Sequence, residues 1–228
     1  MKTTVIQTRH SWLRRFAITL AIGCLAAATL AARTSLAASP CPANSRSGEI
    51  LPPQARPYGY SLDNMASVVA NFSISGNDPA YYPKTPFQII YDQSSTGNNT
   101  FVVKPGTFCY VKVLFIDDSA PVIGDWPADK SGAAGYIFGR DQIGVHDLEV
   151  EVDGRVYSLD DAGYIGGPVP TPTSPDGSEH IIQIGAFLSP LNKGRHHVTI
   201  RATLDGAAFV DFVGGPFSAE INYTVIVN

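Results

Sequence analysis

The stretch Asp147-Leu-Glu-Val-Glu-Val-Asp-Gly-Arg-Val-Tyr-Ser-Leu159 carries the clearest fold signal in the chain. From Leu148 to Val152 apolar residues alternate with acidic ones, which is the period of a β-strand with one buried face. Asp153-Gly154 then separates this run from a second one. An Asp-Gly pair favours the two-residue turn of a hairpin, because both turn positions need positive φ. The stretch therefore predicts two antiparallel strands.

Runs of the same kind recur on both sides of this hairpin, and Pro105-Gly106 marks another turn between two of them. The predicted strands are Pro86–Tyr91, Phe101–Lys104, Phe108–Ile116, Asp147–Val152, Arg155–Leu159, His180–Phe187, His196–Leu204, Ala208–Val213 and Ala219–Val227. Long helical periodicity and internal repeats are absent from the sequence. Short strands with regular turn signals predict an all-β fold, a single antiparallel β-sandwich or jelly-roll-like domain.

The segments before the first strand are less regular. Residues 38–60 are rich in proline and predict an extended N-terminal tail, since proline removes a backbone donor and fixes φ. Ser61-Leu62-Asp63 is a cap for a short helix through Ala70, whereas Val68–Ile74 also suits a strand. The predicted organisation is a tail over residues 38–60 followed by a β-sandwich domain over residues 61–228.

The first 37 residues have the composition of an export signal. Basic residues without any acidic one precede an apolar run from Phe16 to Ala32, and Ser35-Leu-Ala37 supplies the small residues of a cleavage site. The run is about 17 residues, shorter than the roughly 20 of a membrane helix. We expect residues 1–37 to be removed and the mature protein to be secreted, periplasmic or on the cell surface, without a stable membrane span. Lipidation of Cys24 in a loose lipobox is an alternative.

The charge balance restricts the partners. The chain has 16 Lys and Arg residues against 20 Asp and Glu residues, a formal net charge of −4. Residues 1–37 hold five of the basic residues and no acidic one, which leaves 11 basic against 20 acidic residues and a net charge of −9. A surface of that sign repels phosphate backbones and anionic lipid. We therefore expect no nucleic-acid partner.

Two cysteines, Cys41 and Cys109, follow the predicted signal. An even count in an oxidising compartment first indicates a disulfide. Closing a loop of about 70 residues would stabilise the fold by roughly 4 kcal/mol in the chain-entropy model. Alternation places Cys109 on the same strand face as Val111, Val113 and Phe115, so we expect it to point into the core. The alternative is two unpaired thiols.

Two connections are long enough to hold a site, since loops beyond about 15 residues in a compact domain are usually functional or disordered. The connection from Asp117 to Val145 combines acidic and aromatic side chains, whereas Ala162–Glu179 is rich in proline. Aromatic surface with a few convergent polar groups suits a small-ligand or sugar site. The candidate ligand-binding residues are Asp117, Asp118, Asp125, Trp126, Tyr136 and Tyr164.

Motifs for catalysis and for metal binding are missing from the sequence. It contains no Gly-x-Ser-x-Gly elbow, no phosphate loop and no His-Glu-x-x-His. The acidic residues after Asp117 offer oxygen ligands for calcium, but their spacing matches no known calcium loop. We therefore assign no catalytic residue, no metal ligand and no cofactor, with calcium as the weak alternative. Paired loop carboxylates leave a secreted hydrolase open.

Three short segments carry a family resemblance. They are the Pro-Gly strand turn within Phe101–Phe115, the Val152-Asp-Gly154 hairpin and the Pro190-Leu-Asn-Lys-Gly-Arg-His196 segment. In this order they resemble a group of exported, uncharacterised bacterial β-sandwich proteins. The resemblance implies a fold and a compartment but no activity, so it supplies no functional residue.

These observations favour an exported binding module without enzymatic activity, whose partner is a surface glycan or an envelope protein. A secreted hydrolase that uses loop carboxylates and a purely structural envelope protein are the alternatives.

Overall fold

A computed structural model of the protein describes residues 46–93, 99–171 and 177–228. These residues are largely β, with two sheets and three α-helices. The strands are β1 Gln88–Ile90, β2 Thr100–Val103, β3 Cys109–Asp117, β4 Val145–Val152, β5 Arg155–Ser158, β6 Ile165–Pro170, β7 His180–Leu188, β8 Gly194–Leu204 and β9 Phe217–Val227. The helices are α1 Leu62–Ile74, α2 Lys130–Phe138 and α3 Ala207–Val213.

Both sheets are mixed. The four-stranded sheet has the order β1-β3-β7-β6 and the five-stranded sheet the order β2-β9-β8-β4-β5. The edge strands β1 and β2 run parallel to β3 and β9, while the other pairs are antiparallel. The prediction of an all-β fold with only antiparallel sheets was therefore wrong in strand direction and in helix content. Alternation along a strand shows which side chains face inward, but it does not encode the direction of the neighbouring strand.

The hairpin predicted around Asp153-Gly154 is confirmed. β4 and β5 pair antiparallel with Val152 opposite Arg155. The turn residues Asp153 and Gly154 have φ values of 49° and 80°, as the two-residue turn requires. Leu148, Val150 and Val152 are buried, while the glutamates between them stay partly exposed.

Side chains from both sheets meet in one hydrophobic cluster. Ile184 and Leu188 contribute from the four-stranded sheet, and Val150, Val198 and Val225 contribute from the five-stranded sheet. All of these side chains are at most 1% exposed. Burial of apolar surface on this scale is the main favourable term for folding. The packed core on the inner side of the five-stranded sheet therefore fixes the backbone that carries the outward-facing side chains.

A β-bulge in β3 changes which side chains face that cluster. Cys109 and Val111 lie in it, but the register with β7 shifts between Lys112 and Leu114. One extra residue in a strand moves every later side chain to the other face. Phe115 consequently packs on the α1 side of the sheet, so the prediction that it shares the face of Cys109 was wrong.

Helix α1 resolves the ambiguity over residues 61–74 in favour of a helix. Ser61 Oγ accepts from Asn64 N at 3.1 Å while Asn64 Oδ1 accepts from Ser61 N at 3.0 Å, which is a capping box. The helix packs on the four-stranded sheet, where Met65 lies in a cluster with Tyr110 and Phe187. Local capping and an apolar partner surface together outweigh the strand propensity of this segment.

Close approach of α1 to the edge strand β6 depends on a glycine. A Cβ placed on Gly166 would lie 2.5 Å from the Leu62 carbonyl oxygen. β6 was predicted as part of a loop because it contains two prolines and two glycines. Proline is tolerated in strands at an edge or beside a bulge, and β6 is an edge strand with a register shift between Gly166 and Val169.

The segment predicted as the strand Ala208–Val213 is the short helix α3, which corrects that prediction. It begins after Gly206 and ends at Gly214, whose left-handed conformation with φ 93° is a common helix stop. Only Phe209 of this helix is buried. A short apolar run is compatible with the two-residue period of a strand and with the 3.6-residue period of a helix. Here the flanking glycines favour the helix.

The described part of the predicted tail lies against the end of β7. Ile50 forms an isolated antiparallel bridge with Leu188, and Leu51 N donates to Phe187 O at 2.8 Å. Cys109 is completely buried, while Cys41 lies outside the described residues, so the predicted disulfide stays a prediction. The predicted signal over residues 1–37 also falls outside them. Within residues 46–93, 99–171 and 177–228, the helices lack the length and apolar character needed to cross a bilayer.

Candidate functional site

The two aspartates predicted at the end of β3 are both held by hydrogen bonds within the fold. Asp117 Oδ1 accepts from Ser119 N at 3.1 Å and from its hydroxyl at 2.5 Å. Asp118 accepts from Glu179 N at 2.6 Å, from His180 N at 2.8 Å and from His180 Nδ1 at 2.9 Å. Burial raises the pKa of Asp118, but the bonds from His180 and Glu179 outweigh it and the pKa lies below its usual value. Asp118 is therefore an ionised carboxylate that ties β3 to β7.

The predicted aromatic residues Trp126 and Tyr136 pack against each other. Their ring centroids are 5.5 Å apart in an edge-to-face arrangement. Tyr136 is buried, and its hydroxyl donates to Ile123 O at 2.8 Å. Burial, and then the charges of Asp117 and Asp118, raise the pKa of Tyr136. The rings stabilise the connection around α2, and Tyr136 does not offer an exposed face for stacking on a sugar.

The last two predicted residues differ in their surroundings. Asp125 is exposed and pairs with Gln142, whose Nε2 donates to Asp125 Oδ2 at 3.2 Å. Tyr164 donates to Leu51 O at 3.3 Å beside the N-terminal segment. The structure thus brings Asp117, Asp118 and Trp126 around Tyr136, whereas the contacts of Tyr164 are with another part of the chain.

A more open polar surface lies on the outer face of the five-stranded sheet. Here β4, β8 and β9 enclose a depression of about 470 Å³, which we call the outer-face groove. Its lining residues are Asp147, Glu149, Arg201, Ala202, Thr203, Ser218, Ala219 and Glu220. No motif or spacing in the sequence pointed to this combination of residues.

Arg201 lies at the centre of the groove wall. The register places it directly opposite Glu149 on β4 and Glu220 on β9. Its Nε donates to Glu220 at 2.9 Å and its Nη1 to Glu151 at 2.8 Å, while Glu149 is 3.9 Å away. The bond from Arg201 holds the pKa of Glu220 below its usual value. One guanidinium is therefore fixed by carboxylates from two neighbouring strands, and the wall keeps an excess of negative charge.

The depression follows from the length of the side chains. Next to the long Arg201–Glu220 pair, the short Thr203 and Ser218 face each other across β8 and β9. Their hydroxyl oxygens are 3.1 Å apart. A step from long to short side chains leaves a recess with hydroxyl groups at one end and charged groups at the other.

Sequence reasoning missed the groove because it depends on register. Outward positions for Glu149, Glu151 and Arg201 were predictable from alternation alone. The pairing of β4 with β8 joins strands that are about 50 residues apart, and no local pattern specifies it. A usable signal was that the outward positions of β4, β8 and β9 are nearly all polar.

Across the described part of the chain, no three His, Cys, Asp or Glu side chains are arranged to hold a metal ion.

Comparison with known proteins adds little to this geometry. Neither a protein-family model nor a curated protein matches the sequence. The solution structure of amebosin aligns with 63% of this chain and with 100% of its own chain, at 10% sequence identity and a TM-score of 0.24. A likeness at that TM-score carries no argument about fold or function.

Proposed function

We propose that this chain is an exported β-sandwich protein that binds a polyhydroxylated ligand, a glycan of the cell surface or envelope, in the outer-face groove. The observation that carries the proposal is the open recess of about 470 Å³, with carboxylates, a fixed guanidinium and two hydroxyl groups along its walls. The two sheets that share one hydrophobic cluster support the sandwich, and the signal-like first 37 residues support export.

The chemistry of the groove suits neutral hydroxylated ligands. Ionised carboxylates only accept hydrogen bonds, a guanidinium only donates, and hydroxyl groups do both. A sugar ring presents adjacent hydroxyl groups that act as donors and acceptors. Because Arg201 is already held by Glu151 and Glu220, it is pre-organised and loses little side-chain entropy on binding. The negative excess along the wall disfavours anionic ligands.

The hydrolase alternative has weaker support. A general acid needs a raised pKa, whereas the hydrogen bonds to Asp118 give it a lowered one. The carboxylate of Asp117 is bonded to Ser119. These contacts favour a structural role for both aspartates, and they leave the groove as the better candidate.

A binding screen followed by mapping tests the proposal. We expect the purified protein to bind members of a glycan and envelope-fraction panel saturably, without turning them over. Titration of the isotope-labelled protein should then shift the amide resonances of Glu149, Arg201, Thr203 and Ser218. Binding that shifts only resonances around Trp126 and Tyr136 would contradict the groove, and a panel without any binder would contradict the ligand class.

A further inference from the structure

His146 lies between two carboxylates, one of which belongs to the groove residue Asp147. Its Nδ1 is 3.0 Å from Asp147 Oδ2, and its Nε2 is 3.2 Å from Asp205 Oδ2. Asp147 lies within the register shift of β4 and lines the groove, while Asp205 follows the last residue of β8. The imidazole therefore connects the groove to the end of a neighbouring strand.

Both contacts exist together in only one protonation state. An ionised carboxylate accepts hydrogen bonds and has no proton to donate, and a neutral imidazole has one N–H. Hydrogen bonds from both ring nitrogens to Asp147 and Asp205 therefore require the imidazolium form. Loss of one proton leaves one carboxylate without its donor.

The less exposed carboxylate retains its bond on deprotonation. The Asp205 side chain is 48% exposed and the Asp147 side chain 79% exposed. Water competes more strongly for the more exposed acceptor. We therefore expect neutral His146 to keep its proton on Nε2, facing Asp205.

The backbone at Asp147 is suited to a change of conformation when the contact with His146 is lost. Its φ of 50° lies in the left-handed region, which is uncommon outside glycine but is visited by aspartate. The register between β4 and β8 is interrupted from His146 to Glu149, so ladder pairing fixes Asp147 less firmly than the residues beyond it.

We propose that His146 is a proton-dependent bridge that holds the Asp147 carboxylate when protonated and frees it to bind a ligand in the outer-face groove when neutral. This regulation rests on the proposed function of the groove, although the bridge itself is a property of the fold. The pKa of His146 is raised by the bond to Asp205 and, after it, by Asp147, so the imidazolium persists to a higher pH than that of an ordinary histidine. Charged residues near the bridge are Glu149 on β4, Arg201 on β8, Glu220 on β9, Asp160 after β5, which accepts from Leu148 N at 2.9 Å, and, before β4, Arg140 and Asp141.

Nuclear magnetic resonance of the ring nitrogens and carboxyl carbons tests the bridge without a ligand. From pH 5 to pH 9 we expect His146 to titrate above the ordinary histidine value of about 6.5. Above its midpoint it should be the Nε2–H tautomer, and the carboxyl carbon of Asp147 should shift with the same midpoint. In Asp205→Asn the midpoint should fall, and in His146→Gln the Asp147 shift should disappear. The bridge would be overturned by a His146 midpoint at or below the ordinary value of about 6.5. It would also be overturned if the chemical shift of the Asp147 carboxyl carbon did not follow the titration of His146.

Ligand binding separates the two proposals. For a glycan that binds the groove, we expect the affinity to rise roughly fivefold from below to above the His146 midpoint. This is the change in affinity that corresponds to the free energy of one hydrogen bond. The same measurement in His146→Gln should be flat across this range. A panel without binders would refute the function while the resonance data still decide the bridge. Binding that does not change with pH would refute the regulation alone.

Discussion

The amine of Lys112, buried between α1 and the four-stranded sheet, donates to the side-chain oxygen of Asn77 at 2.6 Å. Lys112 is only 7% exposed, and its nitrogen lies 4.8 Å from the ring centre of Phe115 and 5.7 Å from that of Phe72. These contacts join the end of α1 to β3. Burial lowers the pKa of Lys112 to about 7, against an opposing effect of Asp92.

This burial predicts a pH dependence of stability. Because the folded pKa lies below the unfolded value, the unfolded state binds more protons above about pH 7. The free energy of unfolding should therefore rise with pH from 7 to 9, by at most about 1.4 kcal/mol per pH unit. In the reduced protein, the buried thiol of Cys109, whose pKa burial raises to about 12, acts in the opposite direction above pH 9. Urea unfolding at pH 6, 7, 8 and 9 measures the slope.

Lys112→Met isolates the contribution of this residue. Replacing a buried charge by an apolar side chain of similar size should stabilise the protein at pH 6, by about 1–4 kcal/mol. The gain should shrink at pH 9, where the wild-type lysine is neutral. Lys104→Met changes an exposed lysine at the end of β2 and serves as the control. Equal stability of Lys112→Met and wild type at both pH values would show that the amine is not desolvated.

A pair of glycine substitutions tests the contact between α1 and β6. Gly166→Ala places a Cβ 2.5 Å from a backbone oxygen of α1, so the helix or the strand must move, at a cost of roughly 1–3 kcal/mol. Gly135→Ala is the matched control, since its new Cβ meets nothing within 4 Å in α2. It should stabilise by about 0.5–1 kcal/mol, because alanine favours a helix interior. Thermal unfolding that ranks both variants on the same side of wild type would contradict the packing.

The predicted disulfide has a direct chemical test. Leu188 pairs with Cys109 of β3 and also forms a bridge with Ile50. The described N-terminal segment therefore lies two strand spacings from Cys109, which is roughly 10 Å. Protein recovered from an oxidising compartment should yield a Cys41–Cys109 peptide on non-reducing digestion. Cys41→Ser removes the link while leaving the buried Cys109 side chain in place, without a substitution in the core, and should cost roughly 4 kcal/mol. Detection of both residues as free thiols would refute the bond.

The sequence was sufficient where structure depends on neighbouring residues. Asp153-Gly154 and the alternation before it predicted the β4–β5 hairpin, and seven further strands were predicted with one of them wrong, Ala208–Val213. In that segment, seven residues were too few to distinguish a strand from the helix α3. The prolines of β6 hid an edge strand, because proline is read as a loop signal unless the neighbours of the strand are known.

The site was harder to predict because side chains distant in sequence create it. The candidates of the Asp117–Tyr136 region were chosen by composition, and most of their polar groups bond locally. The groove brings Glu149 of β4 and Glu220 of β9 to either side of Arg201 through pairings over long separations. The bulge in β3 that reverses Phe115 likewise has no signature in the residues around it.

Blocking the groove is the most direct measurement of its role. Ser218→Trp fills the short end of the recess, whereas Val156→Trp adds the same bulk to an exposed position of β5 outside the groove lining. With a glycan from the binding screen and calorimetric titration, we predict that Ser218→Trp abolishes binding while Val156→Trp retains the wild-type affinity. Wild-type affinity in both variants would contradict a binding site on this face of the sheet.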